Sequence, residues 1–187
     1  MGYTTEFVGK LELSTPATPE QVAYIQAFNK TRRMKRDATI TETMPDPLRV
    51  AVGLPVGVEG AYYVGDEEAR QNFGQNRTPD IIDYNASAGM PVLSYFDAEW
   101  QKTRDEAIKS GKGQPSLWCQ WTLTDDGKFL EWDGGEKFYN YVKWLRYLIE
   151  NFFSTWSINL NGSINWMGED RGDRGTIVVS DNTVDVF

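Results

Sequence analysis

The chain of 187 residues contains no histidine and only one cysteine, Cys119. Without an imidazole, neither a Ser-His-Asp nor a Cys-His nucleophile can be assembled. Histidine-ligated zinc is excluded for the same reason. A lone thiol excludes an intramolecular disulfide and a cysteine-based zinc site. Any catalysis would have to rest on carboxylates, lysine, tyrosine, the thiol or a carboxylate-bound metal, and no cofactor is expected. Cys119 lies between two tryptophans in LWCQW, the setting of a buried structural thiol. No apolar run reaches the roughly 18–20 residues of a membrane span, so no membrane partner is expected. The opening MGYTTEFVGKLEL lacks the basic start and apolar stretch of a signal peptide. Its Gly2 and Thr5 fit a myristoylation pattern only loosely, and a cytoplasmic location is expected.

Positive charge is scarce as well. Lysine and arginine number 19 against 27 aspartate and glutamate, a net charge of −8, which disfavours general nucleic-acid binding. The cations are unevenly spread, however. Arg32, Arg33, Lys35 and Arg36 crowd the stretch TRRMKRD.

Apolar residues make up 40% of the chain and aromatic residues 13%, enough for a packed core. Phe7, Gly9, Leu11 and Leu13 alternate with Glu6, Val8, Lys10 and Glu12, the period of a half-buried strand. In STPATPEQVAYIQAF, Thr18 fits a helix N-cap, Pro19 the first helical position and Gln21 the third position of a capping box. From Met34 to Gln114 the periodicity is lost. MPDPLRVAVGLPVGVEGAYYVG reads as ordered loop, with AYYVG a candidate short strand. SYFDAEWQKTRDEAIKSGKG reads as a helix with Phe96, Trp100 and Ile108 on its apolar stripe. Leu117–Thr124 and Phe129–Trp132 flank TDDGK, a hairpin signal. Asp133-Gly-Gly-Glu136 then opens a predicted helix to Phe153, whose Phe138, Val142, Leu145 and Ile149 form one face. Two strand-like segments, SINLNGSINWMG and GTIVVSDNTVDVF, follow.

This order predicts an α+β fold: an antiparallel sheet with two main helices on one face. It is the split β-α-β-β-α-β, ferredoxin-like order with one extra C-terminal strand. Residues 1–187 read as a single domain with 34–114 inserted after the first helix. Loops of that length are usually functional.

The motifs MGY-T, LWCQW, EWDGGEKFYNY and GED-x-x-D-x-G resemble those of an uncharacterised family of bacterial and phage proteins. The likeness spans residues 1–36 and 115–181. It implies a bacterial or phage-infected host and assigns no catalytic residue.

Several constellations invite chemistry. Glu169, Asp170 and Asp173 could ligate a hard cation, but Arg171 and Arg174 beside them favour an exposed, internally paired turn. Asp80 with Asp126 and Lys128 resembles a magnesium nuclease set, yet DDGK reads as a turn. Glu131, Asp133 and Glu136 could serve glycoside chemistry, but a helix start is the better explanation of them. SGKGQP lacks the spacing of a phosphate loop. The remaining candidate is Arg32, Arg33, Lys35 and Arg36, with Tyr62 and Tyr63 of the inserted region. Arginine clusters bind anions; cations at a helix end also answer its dipole. The expected function is a non-catalytic binding protein that engages a bacterial protein or sequesters a nucleotide-like anion. A structural protein and a carboxylate- or metal-dependent hydrolase remain as alternatives.

Overall fold

The structure is a computed structural model and describes residues 2–71, 78–91 and 98–187. In chain order its elements are β1 (Thr5–Leu13), α1 (Pro19–Asn29), β2 (Met34–Arg36), α2 (Ala38–Thr41), α3 (Pro47–Ala51) and α4 (Glu67–Gln71). They continue with β3 (Ile81–Ser87), α5 (Ala98–Lys109), β4 (Trp121–Leu123), β5 (Phe129–Trp132) and α6 (Tyr141–Leu148). The chain ends with β6 (Leu160–Gly168), β7 (Arg174–Ser180) and β8 (Thr183–Val186). The mixture is α+β. Two compact units are formed, one from residues 1–25 and 120–187, the other from residues 26–119.

The first unit holds a six-stranded antiparallel sheet in the order β4-β5-β1-β6-β7-β8. Alternation gives it two unlike faces. Phe7, Leu11, Leu130, Leu160, Ile164 and Ile177 are buried on one, while Glu6, Val8, Lys10 and Glu12 are exposed on the other. The Phe7 ring meets Trp121, Trp132, Phe138 and Tyr141 edge-on at 4.8–5.8 Å, so the aromatic richness of residues 117–153 builds core. The α1 capping box forms as expected: Thr18 N–H donates to Gln21 Oε1 at 2.9 Å, and Gln21 N–H donates to Thr18 Oγ1 at 3.2 Å. The hairpin forms too, with Trp121 opposite Trp132 and Gly127 at φ 71° in its turn.

Four expectations need correction. The helix predicted from Glu136 begins at Tyr141, because Lys137 and Asn140 adopt left-handed φ of 60° and 58° that no helix continues through. Its apolar face also includes Trp144 and Tyr147, and it ends in a wide π-helical turn over Ile149–Phe153. The strand predicted from Leu117 begins at Trp121, since the Leu117 and Cys119 carbonyls accept from Arg33 N–H and Asn29 Nδ2 instead. The final segment is two strands, β7 and β8, turned at Asp181 and Asn182 with φ 44° and 67°. AYYVG is a turn, and the second strand of the inserted region is β3, paired antiparallel with β2. Phe96 lies outside the described residues.

Candidate functional site

The second unit gathers the basic segment. After α1, the chain enters β2 with Arg33, Lys35 and Arg36 all buried. Arg33, 2% exposed, donates to the Tyr63 carbonyl and to the Ala61 carbonyl at 3.3 Å, with Phe28 beneath its guanidinium at 4.3 Å. Lys35 Nζ is ion-paired to Glu59 Oε2 at 2.5 Å. Arg36, 4% exposed, is bound to Asp80 Oδ2 at 2.6 Å and lies over the Tyr63 ring at 4.7 Å. Burial raises the Tyr63 hydroxyl above its ordinary pKa, against the opposing influence of Arg36. A second internal pair, Arg49 Nε to Asp46 Oδ2 at 2.6 Å, lies in the same unit, where burial raises the Asp46 carboxyl despite that arginine. The structure thus brings Arg33, Arg36 and Tyr63 together, but inside the unit. Tyr62 is half-buried, and burial raises its hydroxyl as well.

Arg32 is half-buried. Its Nε and Nη2 both donate to the Tyr84 carbonyl at 3.2 Å, and the guanidinium covers the Tyr84 ring at 4.2 Å. Desolvation lowers its pKa from the usual arginine value without removing the charge.

These contacts hold up a groove. Arg32 fixes the Tyr84 carbonyl, Met34 pairs with Ser87, the Arg33 carbonyl accepts from Ala88 N–H at 3.1 Å, and Arg33 N–H donates to the Leu117 carbonyl at 2.8 Å. Residues 85–87 and 115–117, so anchored, form two walls of a groove of about 250 Å³, which Met90, Pro91, Trp100 and Arg104 complete. Trp100 Nε1 donates to the Pro91 carbonyl at 3.4 Å. Arg104, one helical turn on, carries its guanidinium 5.6 Å from the Trp100 ring centre. Among the described arginines of this unit, Arg104 alone makes no side-chain hydrogen bond or ion pair to another described residue. Asn85 is exposed at the rim. Sequence reasoning passed over Arg104 because it is one charge in a mixed helix. The four-residue spacing from Trp100, which puts both side chains on one face, was the available signal.

Five of the other acidic candidates, Asp80, Asp126, Asp133, Glu169 and Asp173, have structural partners. Asp80 is buried against Arg36 and also accepts from the Thr78 hydroxyl. Asp126 accepts from Thr124 Oγ1 at 2.7 Å and Lys128 N–H at 3.0 Å inside the hairpin turn. Asp133 and Glu136 precede α6 by several residues, so a helix start does not explain them. Asp133 instead caps Gly135 N–H at 2.7 Å, and the Glu136 carbonyl accepts from Gln120. In the GEDRGDRG turn two carboxylates bond the residues just before β1 rather than Arg171 and Arg174. Glu169 accepts from Thr4 N–H at 2.7 Å, and Asp173 accepts from the Tyr3 hydroxyl, a bond that raises the tyrosine pKa. Gly168 leaves them room, because a β-carbon there would displace the Tyr3 hydroxyl and the Asp173 carboxylate. The MGY-T and GED-x-x-D motifs are therefore two halves of one tie. Among the described residues, no group of three or more Asp, Glu or Cys side chains is placed to hold a metal, and no helix is long and apolar enough to cross a membrane. Comparison with protein-family models, with curated proteins and with solved structures gives no match.

Proposed function

We propose that the protein is a non-catalytic binding protein that holds a small anionic ligand in the groove beside α5. The observation that carries this reading is Arg104: a guanidinium without a hydrogen-bond partner among the described residues, set in a groove with apolar walls. Every other described arginine of the unit is engaged by carbonyls or carboxylates of the chain itself. A planar guanidinium fork suits a carboxylate or phosphate. Met90, Pro91, Trp100 and Leu117 suit the apolar or ring-bearing body attached to it. Arg32, Arg33, Lys35 and Arg36 act in this reading as the frame that fixes the walls. The setting, a bacterial or phage-infected cytoplasm, rests on the motif resemblance.

The test uses phenyl phosphate, benzoate and adenosine monophosphate as probes, followed by calorimetry and tryptophan fluorescence. At least one should bind, and Arg104→Ala should weaken it by about ten- to a hundredfold, the loss of a charge-assisted contact. Equal affinity in the variant, or no binding of any probe, defeats the reading.

A further inference from the structure

We infer that the open face of the six-stranded sheet is a self-association surface that takes a second copy of this chain. The inference is independent of the groove. Across three neighbouring strands the register sets Glu6, Met167 and Arg174 in one row, with Val8, Asn165 and Thr176 in the next. All six line a depression of about 620 Å³ on the exposed face. Val8 is 71% exposed and Met167 53%, and Phe187, 78% exposed, joins the second row through paired backbone hydrogen bonds with Thr176. Apolar side chains this exposed and this close together mark an interaction surface. Asn165 and Thr176 already satisfy each other at 2.8 Å. The side chains of Glu6 and Arg174 do not: neither has a hydrogen bond or ion pair among the described residues, and they flank Met167 one strand away on either side.

The arrangement is self-complementary. A two-fold axis running along β6 maps β1 of one copy onto β7 of the other. Met167 then meets Met167, Val8 meets the Thr176 methyl, and Glu6 meets Arg174 twice. An isologous interface has this reciprocity, in which one residue contacts a second and the second contacts the first. On the axis Met167 meets Met167 and Asn165 meets Asn165, with the Val8–Thr176 contacts and the Glu6–Arg174 pairs on either side of them. Aligned sheets pack about 10 Å apart, a span that these side chains fill. A partner with uniform charge would leave either Glu6 or Arg174 against a like charge.

Sedimentation velocity across a concentration series tests the proposal. The wild-type chain should show a monomer–dimer equilibrium that weakens at about 1 M salt, where the screening length is about 3 Å. Glu6→Arg and Arg174→Glu, both at exposed positions, should each raise the dissociation constant about tenfold or more, because each sets two pairs of like charges against one another. The double variant Glu6→Arg/Arg174→Glu should restore wild-type association, with circular dichroism confirming the fold in all three. A monomer at every concentration overturns the inference and leaves the face to a different occupant. A dimer indifferent to the single reversals, or a double variant as weak as the singles, overturns it too.

Discussion

Arg36 carries a full charge into the interior of the second unit, where Asp80 is its ion-pair partner. A buried pair of this kind adds little net stability over an apolar substitute, but breaking it strands one charge without solvent. Asp80→Ala should therefore cost about 3–5 kcal/mol in urea unfolding. Arg32→Ala, which frees only a neutral carbonyl at a half-buried site, should cost roughly 1 kcal/mol. A similar cost for both substitutions would show that the Arg36–Asp80 pair is solvated. Carboxylates in turns behave differently. The Thr124 hydroxyl, then the Lys128 N–H, holds the exposed Asp126 carboxyl below its ordinary pKa. A depressed carboxyl contributes stability above its unfolded pKa, about 3.9, and loses it as pH falls through the folded value. Wild-type stability should accordingly decline below about pH 4, and Asp126→Asn should flatten part of that decline. An acid limb identical in the two proteins would remove Asp126 from the account.

Elements formed where local chemistry and core pattern agreed, and the sequence misled where they diverged. Thr18 and Gln21 cap α1, and Asp126-Gly127 turns the β4–β5 hairpin, because each device works within a few residues. The start of α6 was hidden. Asp133-Gly-Gly-Glu136 resembles a helix opening, yet Phe138 is drawn into the Phe7 and Trp121 cluster, and left-handed Asn140 delays the helix. Strand β3 was hidden for the opposite reason: only its last two residues are fully buried, so it shows no alternation. The groove was illegible because its walls come from residues 85–91, 100–104 and 115–117, which only the folded unit assembles. Within α6, Leu145 is fully buried and Val142 only partly so. Leu145→Ala should cost about 2–5 kcal/mol and Val142→Ala clearly less, by chemical denaturation. At Asn140, glycine accepts the φ of 58° freely, whereas a β-branched residue is strained. Asn140→Gly should thus be near neutral and Asn140→Val destabilising by about 1–3 kcal/mol. The reverse order would place the left-handed cap elsewhere.

At the scale of the whole molecule, burial redistributes charge. Among the described residues four cations, Arg33, Lys35, Arg36 and Arg49, lie inside with only two acids, Asp46 and Asp80, so the surface is more acidic than the net charge of −8 states. Such a body repels anions at long range, and a ligand reaches the groove only against that field. The attraction is local, from Arg104. This combination has a measurable signature. A site that engages many cations loses affinity steeply with salt, because each contact releases a counterion. A site with one engaged cation should change by no more than about one power of ten per tenfold change in salt. Screening of the acidic surface should also speed association as salt rises. The expected outcome for an anionic probe is thus a shallow salt slope, with an association rate that holds or climbs from low to physiological ionic strength. Duplex DNA, which meets the same field without a groove to enter, should not be retained. Stopped-flow fluorescence and a salt titration measure both quantities. A slope several times steeper would require several cations at the ligand. Arg104 is a single cation, so that result would take the binding role from it.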